Sequence, residues 1–161
     1  MKKNVFLTSL LVALFTFIAT KSHAQENVFS LGGGLTYATE LENTGIFAKG
    51  VYQFNYQWAG AFTGTYYFEN DVTLMGFDAD AHYAFYNNEE NLSVYGLFGL
   101  NLLTLSSEYF DSDSSLGINL GVGSRYQLSE KIALVPEIKY VVGTEKGGSY
   151  FAASIGLSFS F

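Results

Sequence analysis

The sequence alternates between two kinds of side chain along most of its length. From Phe151 to Phe161, mostly bulky residues occupy every second position, and alanine, serine and glycine lie between them. Successive side chains of a β-strand point to opposite faces, so this pattern predicts a strand with two unlike faces. The same pattern predicts eight strands, at 28–38, 45–56, 58–68, 73–86, 92–105, 116–128, 132–143 and 149–161. It indicates no long helix, no linker and no second domain.

The first 24 residues have the layout of a secretory signal peptide. Two lysines precede an almost uncharged run from Val5 to Ala19, and Ser22 and Ala24 supply small residues at positions −3 and −1 of a cleavage site. The alternative is an N-terminal membrane anchor, but the run is short for a membrane span, which needs ~20 residues. We therefore predict a signal peptide at 1–24 and one β-barrel domain at 25–161.

The charge of the chain limits its partners. Three of the eight basic residues lie in the signal peptide, so the remaining chain has five basic residues against all fifteen acidic ones. An acidic chain has no electrostatic basis for binding nucleic acid. Charged residues make up only 14% and aromatic residues 17% of the sequence. This apolar surplus either fills a large core or faces something other than water, since soluble domains carry roughly 25% charged residues.

The contrast between the two strand faces decides which one is outside. An eight-stranded barrel has an interior only just wide enough for side chains, so the many large rings are expected outside and the small or polar residues inside. The bulky face carries no charge, which is typical of contact with lipid, where a charge at the midplane costs about 2–4 kcal/mol. Short connections alternate with longer polar ones. The fold prediction is therefore all-β, an eight-stranded antiparallel up-and-down transmembrane β-barrel.

Two local features refine this prediction. Rings near the strand ends are placed to form aromatic girdles at the membrane interfaces, namely Tyr37, Tyr56, Trp58, Tyr66 and Tyr140. Pro136 lies within the seventh strand and has no N–H to donate, although a closed barrel has no free edge. We expect a bulge at Pro136, or a position near the interface where water compensates.

With these features the sequence resembles the small eight-stranded outer-membrane barrels of Gram-negative bacteria, of the OmpA-barrel and OmpX type, which are often grouped with porin-like β-barrel domains. The resemblance covers 25–161 and includes the final strand, which ends Ser158-Phe159-Ser160-Phe161. It implies a non-enzymatic, monomeric outer-membrane protein with a role in envelope structure or surface interaction. It also implies contact with membrane lipid and lipopolysaccharide, and reading of Phe159 and Phe161 by the barrel-assembly machinery. The loops are shorter than those of adhesive family members.

Charged residues within the strands define the candidate site. By parity, three acids, three bases and one histidine point into the lumen: Lys49, Asp78, Asp80, His82, Arg125, Glu137 and Lys139. Balanced charge in a narrow lumen favours a paired polar core that plugs the barrel. The alternative is the lining of a narrow porin-like channel, or of a site that binds small solutes.

Two further hypotheses concern metal and catalysis. Glu108, Asp111 and Asp113 offer oxygen ligands of the kind that calcium prefers, but the signal is weak, since no glycine-punctuated loop of twelve residues follows, and a solvated acidic loop is the favoured explanation. Some eight-stranded barrels modify lipid A, which needs a base and a nucleophile. Here His82 is the single histidine beyond residue 24 and points inward, and cysteine is absent. No cofactor is expected, since no phosphate loop, zinc spacing or dinucleotide fingerprint occurs.

Overall fold

The computed structural model describes residues 29–69, 73–88, 91–106, 113–144 and 148–161. Within these ranges the regular elements are β1 (Phe29–Ala38), β2 (Asn43–Gln53), β3 (Trp58–Tyr67), β4 (Thr73–Asn88), β5 (Leu92–Ser106), β6 (Asp113–Gln127), β7 (Ile132–Leu134), β8 (Glu137–Gly143) and β9 (Tyr150–Ser160). No helix in the described ranges is long and apolar enough to cross a membrane.

The strands close into a ring. Each of β1 to β5 pairs antiparallel with the next strand along the chain, and β1 also pairs with β9 from Ser30↔Ser160 to Ala38↔Ala152. The short strands β7 and β8 both lie between β6 and β9, so they are two parts of one barrel strand. The predicted eight-stranded antiparallel barrel is confirmed. The predicted boundaries differ most at β2, which starts at Asn43, and at β6, which starts at Asp113.

The two ends of the barrel differ in their connections. We call the end with the β2–β3, β4–β5 and β6–β7 connections the turn end; Phe29 and Phe161 also lie there. The other end is the loop end. A tight turn joins β2 to β3, because the side-chain Oδ1 of Asn55 accepts hydrogen bonds of 2.9 Å from the backbone N–H groups of both Gln57 and Trp58.

The chain passes Pro136 without a bulge, so the expectation of a bulge there is wrong. The pairings Tyr126↔Leu134 and Gly123↔Glu137 belong to one continuous register between β6 and the β7–β8 strand. The carbonyl of Pro136 still accepts a 3.0 Å hydrogen bond from the N–H of Ser124. Only the reciprocal hydrogen bond, from a backbone N–H at position 136 to the Ser124 carbonyl, is missing, because proline has no N–H.

The irregularity in the described ladders lies elsewhere. Between β4 and β5 the register shifts from Ala84 to Tyr86, which inserts one residue near the turn end. Because the register is unbroken at Pro136, Glu137 and Lys139 keep their inward parity.

Side chains on the outer face of the described strands are mostly apolar, and none of them is charged. Phe62, at the middle of β3, is 60% exposed. Rings pack together toward both ends of the barrel: the centroids of Trp58 and Tyr83 are 4.9 Å apart at the turn end, and those of Tyr140 and Phe151 are 4.6 Å apart at the loop end. The barrel therefore has an apolar outer band with aromatic residues near its rims.

Among the described residues, four large aromatic rings nevertheless point inward, although the sequence predicts the large rings on the outside. The rings belong to Phe47, Tyr67, Tyr95 and Tyr150, all buried. Glycines on other strands make room for two of them. A methyl group at Gly123 would lie 2.6 Å from the Tyr95 ring, and one at Gly156 would lie 2.8 Å from the Phe47 ring. The interior holds these rings because its glycines leave the space that other side chains would fill.

Candidate functional site: the barrel lumen

The seven charged or ionisable residues predicted for the lumen all occupy inward positions. They come from four of the eight barrel strands: Lys49 from β2, Asp78, Asp80 and His82 from β4, Arg125 from β6, and Glu137 and Lys139 from β8. Asp78, Asp80, His82 and Glu137 are buried, and the three basic residues are partly buried. They divide into a paired group at mid-barrel and a second group nearer the turn end.

The first ion pair joins β2 and β8 across the lumen. The Lys49 Nζ lies 2.8 Å from Oε1 and 2.7 Å from Oε2 of Glu137, so it bonds both carboxylate oxygens. The Tyr95 hydroxyl donates a third hydrogen bond, of 3.0 Å, to the Glu137 Oε2. Glu137 is 5% exposed, and this set of donors compensates for removing its charge from water.

The second ion pair joins β8 to β4. The Lys139 Nζ lies 2.6 Å from the Oδ2 of Asp78. The other oxygen of Asp78, Oδ1, accepts hydrogen bonds of 2.7 Å from the Asn101 amide and 2.9 Å from the Asn119 amide. Both Asp78 oxygens therefore have partners, and the carboxylate is only 2% exposed.

A shared amide links the remaining carboxylate to this network. The Asn119 Nδ2 also donates a 2.8 Å hydrogen bond to the Oδ1 of Asp80. We call the resulting group the charge belt: Lys49, Asp78, Asp80, Tyr95, Asn101, Asn119, Glu137 and Lys139. It draws on β2, β4, β5, β6 and β8, so it ties most of the ring together across its interior.

Apolar packing closes the lumen on the loop side of the charge belt. Six buried residues from five strands form one cluster there, which we call the cap: Ala38, Tyr67, Leu74, Val141, Tyr150 and Ala152. Leu41 and Leu103 pack against it. Two internal spaces beside the belt have volumes of about 10 Å³ each. A space of that size holds about one water molecule.

A larger cavity opens on the turn side of the belt. Its volume is about 380 Å³, and we call it the vestibule. His82, Tyr95 and Arg125 line it, together with side-chain amides such as Gln53 and Asn87. The rings of His82 and Tyr95 stack with centroids 4.5 Å apart and an interplanar angle of 11°. The lumen thus contains a closed cap, a paired belt and an open vestibule.

The three weak candidates for calcium binding receive no structural support as a group. Glu108 and Asp111 lie outside the described residues. Asp113 begins β6 and is exposed, and its Oδ1 accepts a 2.9 Å hydrogen bond from the backbone N–H of Ser114. Among the described residues, no three His, Asp or Glu side chains are arranged to hold a metal ion. A solvated acidic loop therefore stays the favoured interpretation, and the calcium site stays an untested alternative.

The sequence analysis missed three members of the charge belt as functional residues. Asn101 and Asn119 share the inward parity of the small residues, and Tyr95 lies on the same face of β5. Parity alone could have placed them inside. It could not show that one asparagine amide bonds two carboxylates, because this depends on the relative heights of β4 and β6.

The end of β9 forms an aromatic group on the outer face at the turn end. The N–H of Phe161 donates a 3.0 Å hydrogen bond to the Phe29 carbonyl, which extends the pairing of β1 and β9. The Phe161 ring lies 5.0 Å from that of Phe159 and 6.2 Å from that of Phe29, between centroids. Phe161 is 71% exposed.

Comparison with known proteins identifies the family. The chain matches the profile of the outer membrane protein β-barrel domain over residues 9–161. The chain belongs to this family. The protein is therefore located in the outer membrane of a Gram-negative bacterium, and its apolar outer face contacts lipid. In this class the short turns face the periplasm, which assigns the vestibule to the periplasmic side. No curated protein sequence matches the chain significantly.

Several solved structures share the fold at low sequence identity. The N-terminal β-barrel domain of OprF from Pseudomonas aeruginosa has a TM-score of 0.72 at 19% identity, covering 84% of this chain and 98% of that one. Ail from Yersinia pestis, solved with the heparin analogue sucrose octasulfate, has a TM-score of 0.61 at 19% identity, covering 85% and 100%. OprG from Pseudomonas aeruginosa has a TM-score of 0.63 at 13% identity, covering 85% and 97%.

Removing one partner of the belt should destabilise the barrel more than removing both. We expect Lys49→Met to lower the free energy of unfolding by about 3–5 kcal/mol, because it leaves the Glu137 carboxylate buried without a cation. Adding Glu137→Gln should recover most of that loss. Urea unfolding in lipid vesicles, followed by the fluorescence of Trp58, measures both effects.

The matched control is Lys131→Met. Lys131 is exposed, with its Nζ 5.9 Å from the centroid of the Phe159 ring, and its removal should change the unfolding free energy by no more than about 0.5 kcal/mol. If Lys49→Met alone and Lys49→Met with Glu137→Gln lose the same unfolding free energy, the unpaired Glu137 carboxylate is not the cause of the destabilisation.

Proposed function

We propose that this protein is a non-enzymatic, monomeric structural component of the outer membrane, with a role in envelope structure or surface interaction. The observation that supports this most directly is the filled lumen. The charge belt pairs two lysines with two carboxylates at mid-barrel, and the cap packs across the lumen on the loop side, and together they oppose the passage of solutes across the membrane.

The energetics of the belt favour a plug over a pore. An ion that crosses at mid-barrel would have to displace Lys49 from Glu137 or Lys139 from Asp78. Separating either pair leaves a buried, uncompensated charge, which costs about 3–5 kcal/mol. Beyond the belt, the ion would still meet the Tyr67 and Tyr150 rings of the cap.

The position of His82 supports a non-enzymatic role. A lipid-modifying site has to open toward the membrane, where its substrate lies. His82 points into the lumen and stacks on Tyr95, while the outer face of the described strands has no Asp, Glu, His, Lys or Arg. The residues that face lipid therefore lack the imidazole and carboxylate groups that most often act as general acid or base.

The loop end is acidic where it is described, which limits the surface partners. Glu40, Glu42 and Glu69 lie in the connections after β1 and β3. The Thr39 hydroxyl and the Phe151 N–H both donate hydrogen bonds to the Glu40 carboxylate and hold its pKa below the usual value. These charges disfavour a sulfated polyanion of the kind crystallised with Ail, so we propose that contacts at this end are with lipopolysaccharide and its cations.

Conductance measurements test the plug. Refolded protein should insert into planar bilayers without producing ohmic single-channel steps, because the cap and belt fill the lumen. A porin inserted into the same bilayer serves as the positive control, and a shift between boiled and unboiled samples on a gel shows that the barrel is folded. Regular ohmic steps from the folded protein would contradict the plug and favour the porin-like channel.

We also propose export by a signal peptide at 1–24 and recognition of Phe159 and Phe161 by the barrel-assembly machinery. The exposed ring of Phe161 at the end of β9 is accessible for such recognition before the barrel closes. Phe161→Ala should therefore reduce the amount of folded barrel in the outer membrane several-fold, measured by the unboiled gel band in membrane fractions.

Phe54→Ala is the matched control for this test. Phe54 is also an exposed ring near the turn end, but it follows β2 and is 40% exposed, so its removal takes away an exposed ring without touching β9. An equal loss of folded barrel in both variants would mean that Phe161 acts only through lipid contact.

A further inference from the structure

The ion pairs of the lumen leave one cation without a counter-charge. Lys49 and Lys139 pair with Glu137 and Asp78, as described above. No described carboxylate lies within 4 Å of the Arg125 side chain. Arg125 is partly buried and lines both the vestibule and one of the small spaces beside the belt. A partly buried guanidinium without an acid partner is a ready donor for an anion.

A second unpaired group lines the same cavity. His82 is 5% exposed, and its Nε2 is buried without a hydrogen-bond partner among the described residues. Stacking on Tyr95 holds the imidazole plane in one orientation. An unsatisfied buried polar atom destabilises the folded state, so a ligand that hydrogen-bonds Nε2 removes that penalty.

The rest of the vestibule suits a small polar ligand. Its volume of about 380 Å³ lies within the range of small-molecule sites, about 300–1,000 Å³. The walls carry neutral side-chain amides, including Gln53, Asn87 and Asn91. Glu130 is the described acid that lines the cavity, and it is exposed in the β6–β7 turn, at the mouth.

We infer that the vestibule is a binding site for a small oxyanion, a carboxylate or phosphate group, that enters from the turn side. The Arg125 guanidinium binds two oxygens of the anion in its planar fork, and the His82 Nε2 bonds a third or a shared oxygen. The amides contact the rest of the ligand. This site goes beyond the proposed structural role and does not rest on it, because the cap and belt close the lumen on the far side of the vestibule.

The test uses the full barrel, isotope-labelled and refolded in micelles, titrated with inorganic phosphate in one arm and acetate in the other at constant ionic strength. We expect saturable changes in the amide NMR chemical shifts, confined to residues around the vestibule. The anion that binds with the higher affinity, phosphate or acetate, identifies the preferred group. Arg125→Gln should weaken binding by at least about tenfold, since a hydrogen bond to a charged group contributes about 1.5–3 kcal/mol. His82→Gln should weaken it several-fold.

Lys131→Gln is the matched control, because Lys131 is a cation at the same end of the barrel that does not line the vestibule. It should leave both titrations unchanged. The inference is overturned by shifts that do not saturate in either arm, or by an affinity that survives Arg125→Gln. If Arg125→Gln fails to show the folded gel band, His82→Gln decides, and an unchanged affinity in that variant overturns the site. Conductance is measured in a separate experiment, so failure of the plug proposal can be distinguished from failure of the anion-site proposal.

Discussion

The structure depends on one constraint: in hydrocarbon, every backbone N–H and C=O needs a partner from the chain itself. A sheet meets it only by closing, and here β1 meets β9 along a ladder from Ser30↔Ser160 to Ala38↔Ala152. Gly34 and Gly156 face each other within this ladder. A methyl group at Gly34 would lie 2.1 Å from the Ile155 carbonyl oxygen, so the first and last strands come together only because that position carries no side chain.

Closure with eight strands also determines what the interior can hold. The ring is too narrow for a water-filled channel once side chains enter it. Four of the charges that face inward form two ion pairs, Lys49–Glu137 and Lys139–Asp78, with the help of Tyr95, Asn101 and Asn119. The same closed ring separates three regions along its axis, the cap, the charge belt and the vestibule, and each region has its own chemistry.

The sequence predicts the sidedness of the barrel well, because a period of two specifies both the strands and their lipid-facing side. It does not predict the partners of the lumen charges. Lys49 and Glu137 are 88 residues apart, and their contact depends on the stagger of β2 and β8 around the ring. Phe47 and Tyr95 point inward only because Gly156 and Gly123 on other strands leave space, which no local pattern reveals.

Pro136 is a second feature whose local structure the sequence does not predict. A proline within a barrel strand favours a bulge on local grounds, but the ladders on both sides keep one register and give up a single hydrogen bond. Because the register is unbroken, Glu137 and Lys139 point inward, where their partners lie. A bulge would have reversed their parity and placed two charges against lipid, at about 2–4 kcal/mol for a lysine at the midplane.

The most direct test of this account asks which face of the strands touches lipid. In a Trp58→Phe background, a single tryptophan replaces either Phe62, which is 60% exposed on the outer face, or Phe47, which is 7% exposed inside. Lipids brominated along their acyl chains quench a tryptophan that they contact. The account predicts strong quenching of the Phe62→Trp variant and little quenching of Phe47→Trp. Equal quenching, or stronger quenching of Phe47→Trp, would contradict it.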